Sequence, residues 1–462
     1  MLFTSMTFLW IFLPVVFVLY RLVKDLNLRN VILFAAGLVF YVWGSAPRDI
    51  PVFVLLIIFN YAAGLMIGKE RFDPKMLLII SVAVNVAALC IFKYSGFLAD
   101  LSLHGFENLS MPIGISFFTF QNISYLVDVY RKEISAENNL FYYTMHISFF
   151  AKLISGPIVE NGTFLRQLRE RETSAARTAY GIKRFIYGFG KKAIIADQLA
   201  VAADGLFDID VNVIPTGYAW AAALLYSFQL YYDSSGYVDM AIGISQMFGF
   251  DLPENFNYPY TALSVTDFWR RWHISLTSWF RKYVYFPLGG SRKGKYRTLL
   301  NIGIIFALTG IWHGSGLCFL AWGLWHGFFM ILERAFKPRF EKIKIPSVVK
   351  YLYTFVVVLL GWVFFRAGSL SRALQMIKAM IVFRNGNVLP IRMFAGPGTL
   401  AVLIVAIILS GPVQTLFPKL KDALFDREYT GPLQICVLIL IFVLGIIFTV
   451  SGTYNAFIYF RF

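Results

Sequence analysis

The chain has 462 residues, of which 58% are hydrophobic and only 15% charged, and its formal net charge is +16 at pH 7. Its mean hydropathy of +0.65 is higher than a soluble globular domain of this length reaches. This composition excludes a soluble enzyme, gives no reason to expect a nucleic-acid partner, and indicates an all-α polytopic membrane protein. Three cysteines without motif spacing predict neither a disulfide framework nor a metal site.

Apolar runs of membrane-spanning length follow one another along the chain, separated by charged residues, Gly or Pro. They lie near Met1–Tyr20, Val31–Gly44, Ile50–Gly68, Met76–Phe92, Ile214–Tyr232, Val348–Phe365, Leu400–Phe417 and Leu433–Val450. The first run lacks a basic leader and a cleavage site, so we expect it to be retained as a helix. Met111–Tyr130 and Phe141–Leu153 are interrupted by polar residues, which is typical of re-entrant or tilted helices. We expect about eleven transmembrane helices, with re-entrant and interfacial helices, in one domain over residues 1–462.

Basic residues mark one face of the membrane. Lys and Arg cluster at residues 21–29 and 69–75, after the first and third spans. The positive-inside rule makes these loops cytoplasmic and the N-terminus extracytoplasmic, and it also places Arg166–Lys192 and Arg270–Arg297 inside. Attraction to anionic membrane lipid explains such a basic face, and binding of an anionic substrate is the alternative.

The segment Ser264–Leu288 is too polar to span a membrane, but its aromatic residues fall on one helical face and its cations on the flanks. The pattern predicts one helix that lies in the interface or roofs a cavity, with Thr266 as N-cap and Asp267 in the first turn. His273 falls at the border of the aromatic face. A peripheral amphipathic helix would show the same pattern. The following stretch, Gly289–Arg297, is either a solvated basic loop or a cradle for phosphate.

Two histidines lie in otherwise apolar sequence farther along the chain. The predicted helix Thr298–His313 rises about 22 Å, which places His313 deep in the hydrocarbon layer. Ionisable side chains at that depth are rare and mark functional sites. Gly314–Gly316 ends the helix, and a second arm returns to Glu333 and carries His326. His326 is either a packing residue bonded to a backbone carbonyl or a catalytic group.

Six motifs spread over nearly the whole chain resemble the membrane-bound O-acyltransferase family. They are MPIGISFFTFQNISYLVDVYR (Met111–Arg131), AKLISGPIVE (Ala151–Glu160), SSGYVDMAIGISQMFGFDLPENFNYPY (Ser234–Tyr260), TDFWRRWHISLTSWFRKYVYFPLGGSRKG (Thr266–Gly294), LTGIWHG (Leu308–Gly314) and GWVFFRA (Gly361–Ala367). The chain is most similar to the bacterial alginate O-acetylase branch, whose relatives include the teichoic-acid D-alanyl transfer protein, and Phe457–Phe462 is also similar to that branch. The resemblance implies a ring of helices around a thin catalytic core, with a cytoplasmic funnel and an extracytoplasmic opening. It also implies that His313 is the family's catalytic histidine and that His273 matches a second one.

The chemistry of acyl transfer fits these residue types. A neutral imidazole can take the proton of an attacking hydroxyl, which makes His313 a candidate base. The oxyanion that develops requires a hydrogen-bond donor, for which His273, Trp312 and a backbone N–H near Gly314 are candidates. Asp239 could orient a histidine or close a helix-packing network. Direct transfer and a covalent acyl-histidine both remain open.

The expected donor is acetyl-CoA, used as a substrate, and no bound cofactor or metal is expected. Phosphates of the donor are recognised by cations. The candidate donor-binding cations are Arg270, Arg271, Arg281, Lys282, Arg292 and Lys293. A carrier protein with a phosphopantetheine thioester, as in the D-alanyl relatives, would instead dock on a larger cytoplasmic surface.

We therefore expect an enzyme of the bacterial cell membrane that passes acetyl groups from cytoplasmic acetyl-CoA toward an exported cell-surface polysaccharide. The branch implies an extracytoplasmic acetyltransferase partner. Three alternatives remain: D-alanyl-type transfer from a carrier protein, a transporter that uses His313 as a proton relay, and a scaffold that recruits a polysaccharide synthase.

Overall fold

The computed structural model describes residues 1–95, 109–340, 343–386, 388–421 and 431–452. Helices dominate these ranges, and no β-strand occurs within them. The all-α prediction is therefore confirmed. The C-terminal motif Phe457–Phe462 lies outside the described residues.

Within the described ranges, six helices are long and apolar enough to cross a membrane. They are Leu26–Gly44, Asp49–Gly68, Pro74–Lys93, Ser347–Arg366, Pro397–Leu416 and Pro432–Ser451. Each coincides with a predicted apolar run, which confirms a multi-pass membrane protein. The first predicted run forms the shorter helix Phe8–Leu22, which follows a turn where Ser5 Oγ donates to the Leu2 carbonyl at 2.8 Å. The run Ile214–Tyr232 lies within the 32-residue helix Thr216–Met247.

The chain forms two compact units, of which the first comprises Met1–Phe185 and Val238–Pro253. Its helices are α1 (Phe8–Leu22), α2 (Leu26–Gly44), α3 (Asp49–Gly68), α4 (Pro74–Lys93), α5 (Ile115–Tyr130), α6 (Leu140–Ser148), α7 (Phe150–Leu153), α8 (Asn161–Glu170) and the first part of α9 (Ala175–Gly190). Helix α5 packs against α3 and α4 and is buried at every position from Ile115 to Leu126. A helix that is buried on all sides forms the centre of its unit.

The polar residues that interrupt the apolar pattern of α5 bind polar residues of other helices inside the first unit. The Lys152 ammonium donates to Gln121 Oε1 at 3.0 Å and lies 3.3 Å from His146 Nδ1. His146 Nε2 lies 2.9 Å from Asn161 Oδ1, and Asn161 Nδ2 donates to Asp128 Oδ2 at 2.7 Å. This chain of hydrogen bonds satisfies polar groups that would otherwise be costly in a buried position.

The second unit comprises Ile186–Tyr237 and Glu254–Phe462. A π-helical turn, Lys191–Ala196, precedes α10. The helices that follow are α10 (Asp197–Phe207), α11 (Thr216–Met247, whose end belongs to the first unit), α12 (Val265–Arg271), α13 (Ile274–Phe280), α14 (Lys295–His313), α15 (Leu317–Phe340), α16 (Ser347–Arg366), α17 (Leu370–Ile381), α18 (Pro397–Leu409), α19 (Pro412–Leu416), α20 (Pro418–Lys421) and α21 (Pro432–Ser451).

The predicted hairpin around His313 is present as α14 and α15, which pack closely along their lengths. Two glycines permit this approach. A Cβ on Gly310 would lie 2.5 Å from the Phe319 carbonyl oxygen, and one on Gly323 would lie 2.2 Å from the Phe306 carbonyl oxygen. Small residues let membrane helices approach through their backbones. The hairpin therefore holds His313 at the turn between two tightly packed arms.

The prediction of one helix over Ser264–Leu288 is wrong. The segment breaks between α12 and α13, and His273 adopts a left-handed conformation with φ 47° and ψ 52°. The N-cap of α12 is Ser264, whose Oγ accepts from the Asp267 N–H at 2.9 Å, and not Thr266. Thr266 is already part of the helix. Asp267 occupies the first turn as predicted.

Candidate active site

His313 is the last residue of α14 and is only 5% exposed. Its ring packs edge-on against three aromatic rings, with centroid distances of 4.7 Å to Trp312, 4.9 Å to Trp322 and 5.2 Å to Phe365. Gly314 follows with an extended backbone, and a Cβ there would lie 2.3 Å from the Phe319 ring. The imidazole is therefore held in an aromatic wall that excludes bulk water.

The structure brings together three of the residues singled out from the sequence. His273, 3% exposed, packs edge-on against Trp312 at a centroid distance of 6.5 Å. Trp312 in turn contacts His313. The indole of Trp312 thus contacts the imidazoles of both histidines.

His326 lies on α15 and is completely buried. Its ring packs against Trp269 at 5.2 Å and Trp322 at 5.4 Å, and it stacks on Phe268 at 6.4 Å. Within the described part of the chain neither ring nitrogen has a hydrogen-bond partner, so the predicted bond to a backbone carbonyl is not found. A Cβ on Gly361 would lie 2.5 Å from His326 Nε2, which shows how closely α16 covers this ring.

A cavity of about 1620 Å³ lies beside these aromatic rings and is bounded by residues of α12 to α16. Its lining includes six cations: Arg270, Arg281, Arg334, Lys337, Lys344 and Lys350. On α14 the lining extends to Thr309, one helical turn before His313. Trp269 also lines the cavity and contacts Trp322, which contacts His313. The lining of the basic cavity therefore ends one helical turn before His313, and its Trp269 ring contacts Trp322 of the aromatic wall.

Of the six cations predicted to bind the donor, only Arg270 and Arg281 line this cavity. Among the other four, Arg271 Nε donates to Asp267 Oδ2 at 3.0 Å, and the Lys282 ammonium lies 5.2 Å from the Tyr283 ring centroid. The remaining two, Arg292 and Lys293, are exposed in the turn before α14.

Sequence reasoning missed the four lining cations that follow Glu333. They lie at the end of α15, in the link that follows and at the start of α16. In the sequence, their charge indicates only where the membrane boundary lies. Their part in a cavity becomes visible once α12 and α13 are packed beside them.

The two carboxylates of the YYDSSGYVD segment are engaged with cations. In the first unit, Asp239 Oδ1 accepts from Arg184 Nε at 2.8 Å, and the two side chains also approach to 2.6 Å. In the second unit, the Lys192 ammonium lies 2.6 Å from both Asp197 Oδ1 and Asp233 Oδ1. Both carboxylates therefore take part in buried or half-buried ion pairs. Among the described residues, no three His, Cys, Asp or Glu are grouped to hold a metal ion.

Glu333 fixes the start of α12 from a distant part of the chain. Its carboxylate accepts from the Val265 N–H at 2.6 Å, the Thr266 N–H at 2.9 Å and the Thr266 hydroxyl at 2.6 Å. The first N–H groups of a helix have no intrahelical partner, and negative charge is favourable there. Glu333 therefore binds the first two N–H groups of α12, next to the Asp267 N–H that the N-cap Ser264 binds.

We expect Glu333→Gln to lower the free energy of unfolding by about 1–3 kcal/mol, because an amide cannot accept all three bonds. Thr266→Val removes only the hydroxyl bond and is expected to cost about 1 kcal/mol. Thermal unfolding of the purified protein in detergent compares the two variants. Equal stability of Glu333→Gln and wild type would contradict the capping role.

Comparison of the chain with known proteins identifies its family. Residues 76–370 match the model of the membrane-bound O-acyltransferase family. The chain is 36% identical to a protein named "Probable alginate O-acetylase AlgI" from Pseudomonas putida, with 100% of both chains covered. It is 38% identical to the protein of the same name from Pseudomonas aeruginosa, over 94% of this chain and 87% of the relative. A peptidoglycan O-acetyltransferase from Helicobacter pylori is 35% identical, over 82% of this chain and 80% of the relative. The chain is therefore an O-acyltransferase that belongs to the membrane-bound O-acyltransferase family, in its alginate O-acetylase-like branch.

Proposed function

We propose that the protein transfers acetyl groups from cytoplasmic acetyl-CoA, across the bacterial inner membrane, to hydroxyl groups of an exported cell-surface polysaccharide. The observation that carries the proposal is the basic cavity beside the His313 wall. Relatives named for O-acetylation of alginate and of peptidoglycan support the acceptor class. The proposal includes an extracytoplasmic N-terminus and about eleven membrane helices in a ring around this site.

In the proposed reaction His313 acts as general base. It takes the proton of the acceptor hydroxyl as the oxygen attacks the acetyl carbonyl carbon. The carbon–oxygen bond forms, the carbon–sulfur bond breaks, and the imidazolium returns the proton to the departing thiolate. His273 and the indole N–H of Trp312 are the proposed donors to the transient oxyanion. A covalent acyl-histidine would divide the same bond changes into two steps, and trapping of acetyl-protein without acceptor would distinguish it.

The positive charge of the cavity lining supports acetyl-CoA as the donor. Its phosphates would meet the lining cations, and its amide-bearing arm would pass the aromatic wall. The indole N–H groups of Trp269 and Trp322 are buried and, within the described part of the chain, have no hydrogen-bond partner. Buried donors of this kind are normally satisfied. We propose that carbonyl oxygens of the arm accept from them.

The acceptor and the partner complete the proposal. An extracytoplasmic acetyltransferase is proposed to receive the acetyl group at the outer end of the site and to deliver it to the polysaccharide. An alginate-like polymer and peptidoglycan are the two acceptor classes that the relatives' names support.

The test is thiol release from acetyl-CoA by the purified protein in nanodiscs, with and without an acceptor oligosaccharide or the extracytoplasmic partner. Release that depends on acceptor, together with O-acetylated product, supports the proposal. Thiol release that occurs only with an acetylated carrier protein would identify that protein, and not acetyl-CoA, as the donor. Solute movement into vesicles without thioester consumption would instead identify a transporter.

The lining cations allow a direct test of the donor site. We expect Lys344→Glu combined with Lys350→Glu to raise KM for acetyl-CoA by about tenfold or more, because each charge-assisted bond is worth about 1.5–3 kcal/mol. Lys378→Glu is the matched control, since this exposed lysine of α17 does not line the cavity. An unchanged KM in the double variant would remove these lysines from the donor site.

A further inference from the structure

We propose that Asn255 is a positioning residue that holds His273 in its working orientation, an inference that rests on the proposed function of the site. Asn255 was not among the residues singled out from the sequence. It is completely buried and belongs to the second unit, in the short strap Asn255–Asn257 that precedes α12.

The amphipathic pattern of residues 264–288 favours a continuous helix through His273, yet the helix is interrupted there. His273 is in the left-handed region, with φ 47°, which costs energy for a residue with a Cβ. A break of this kind persists only when surrounding contacts impose it. The strap supplies those contacts.

Asn255 binds the first turn of α13 through both its backbone and its side chain. Its carbonyl oxygen accepts from the Ile274 N–H at 3.0 Å, and its Oδ1 accepts from the Ser275 N–H at 2.7 Å. His273 occupies the N-cap position but makes no side-chain cap bond. Asn255 thus caps α13 from an earlier part of the chain, whereas this bond is usually made by an Asn or Ser at the N-cap position itself.

The same strap also binds the other side of the break. The Asn257 N–H donates to the Arg271 carbonyl at 2.9 Å, at the end of α12. Between the two asparagines, the Phe256 ring lies 5.0 Å from Trp272 and 6.3 Å from His273. The backbone on both sides of His273 is therefore fixed, and its ring is directed to the Trp312 contact.

The hydrogen bonds from Asn255 to the Ile274 and Ser275 N–H groups act as a clamp on the start of α13. Loss of this clamp should let α12 and α13 join into the continuous helix that their amphipathic pattern favours. His273 would then leave the Trp312 contact, while the lining cations other than Arg281 would remain on α12, α15, α16 and the link between α15 and α16. A positioning role for Asn255 therefore predicts a fall in kcat with little change in KM for acetyl-CoA.

The experiment measures acceptor-dependent thiol release by the full-length protein in nanodiscs. Asn255→Ala is expected to lower kcat at least tenfold, with KM for acetyl-CoA within twofold of wild type. Asn255→Asp keeps an oxygen acceptor for the Ser275 N–H and is expected to recover kcat to within a few-fold of wild type. Asn257→Ala is the matched control, because only its backbone N–H binds α12 and its side chain is exposed.

A double variant separates positioning from a general structural effect. If Asn255 acts through His273, Asn255→Ala should cost nothing further in a His273→Ala background. Additive losses in the double variant, wild-type kcat in Asn255→Ala, or a loss confined to KM would each overturn the proposal. If Asn255→Ala does not fold, Asn255→Gln, which displaces the amide by one methylene, carries the same expectations.

Hydrogen exchange tests the clamp independently of any activity. Asn255→Ala should speed exchange of the Ile274 and Ser275 amides relative to wild type and to Asn257→Ala, and unchanged exchange would overturn the clamp. If wild type releases no thiol while this difference is present, the proposed function fails and the clamp stands.

Discussion

His313→Ala is expected to reduce acceptor-dependent acetyl transfer by about 10²- to 10⁴-fold, the range that a positioned general base contributes. The side chain lies at the end of α14 and packs against all three rings of the aromatic wall, Trp312, Trp322 and Phe365. The measurement is kcat for transfer to an acceptor oligosaccharide, with thermal unfolding of each variant measured in parallel.

His273→Ala is expected to lower kcat as well, and the double variant His273→Ala/His313→Ala should be little slower than His313→Ala. Groups that act on one transition state are not additive, because removing one leaves the other without its function. Fully additive losses would place the two histidines in separate steps. Activity above one-tenth of wild type in His313→Ala would exclude the residue as the general base.

The local sequence was sufficient to predict the hairpin that holds His313. An apolar run, a break at Gly314–Gly316 and a second apolar run are all local signals, so the helix ends follow from neighbouring residues. The same holds for the six membrane-spanning helices, whose hydropathy is independent of tertiary contacts.

The break at His273 and the capping of α12 could not be predicted in this way. The break depends on Asn255, and the cap depends on Glu333, which is 67 residues away from Thr266. Helical periodicity reports which face is apolar but not which distant carbonyl or carboxylate binds the backbone. The amphipathic pattern therefore predicted one continuous helix, whereas long-range hydrogen bonds divide the segment into α12 and α13.

The cations of the proposed donor site could also be predicted only in part from the sequence. A cluster of cations in a basic loop is equally compatible with lipid headgroups and with a bound anion. Arg270 and Arg281 line the cavity, whereas Arg271, which follows Arg270 at the end of α12, pairs with Asp267. Only the packing of α12 against α15 and α16 determines which of these charges line the cavity.

Gly323→Ala is expected to destabilise the protein strongly, because the hairpin depends on direct backbone contact at this position. A Cβ there would lie 2.2 Å from the Phe306 carbonyl oxygen and 3.1 Å from Gly310 Cα. No side-chain rotation relieves a clash with backbone, so α14 and α15 must separate. Overpacking of a well-packed core costs about 1–3 kcal/mol, and we expect this variant to reach or exceed that range.

Gly303→Ala is the matched control on the same hairpin. A Cβ at Gly303 would meet only Ile331 Cδ1, at 3.8 Å, which is ordinary van der Waals contact. Because alanine is favoured over glycine within a helix by about 1 kcal/mol, this variant should be as stable as wild type or more stable. Thermal unfolding in detergent compares the pair, and similar unfolding temperatures for the two variants would contradict close backbone packing. Separation of the arms would also move Trp322 away from His313, so Gly323→Ala protein that still folds should lose kcat together with stability.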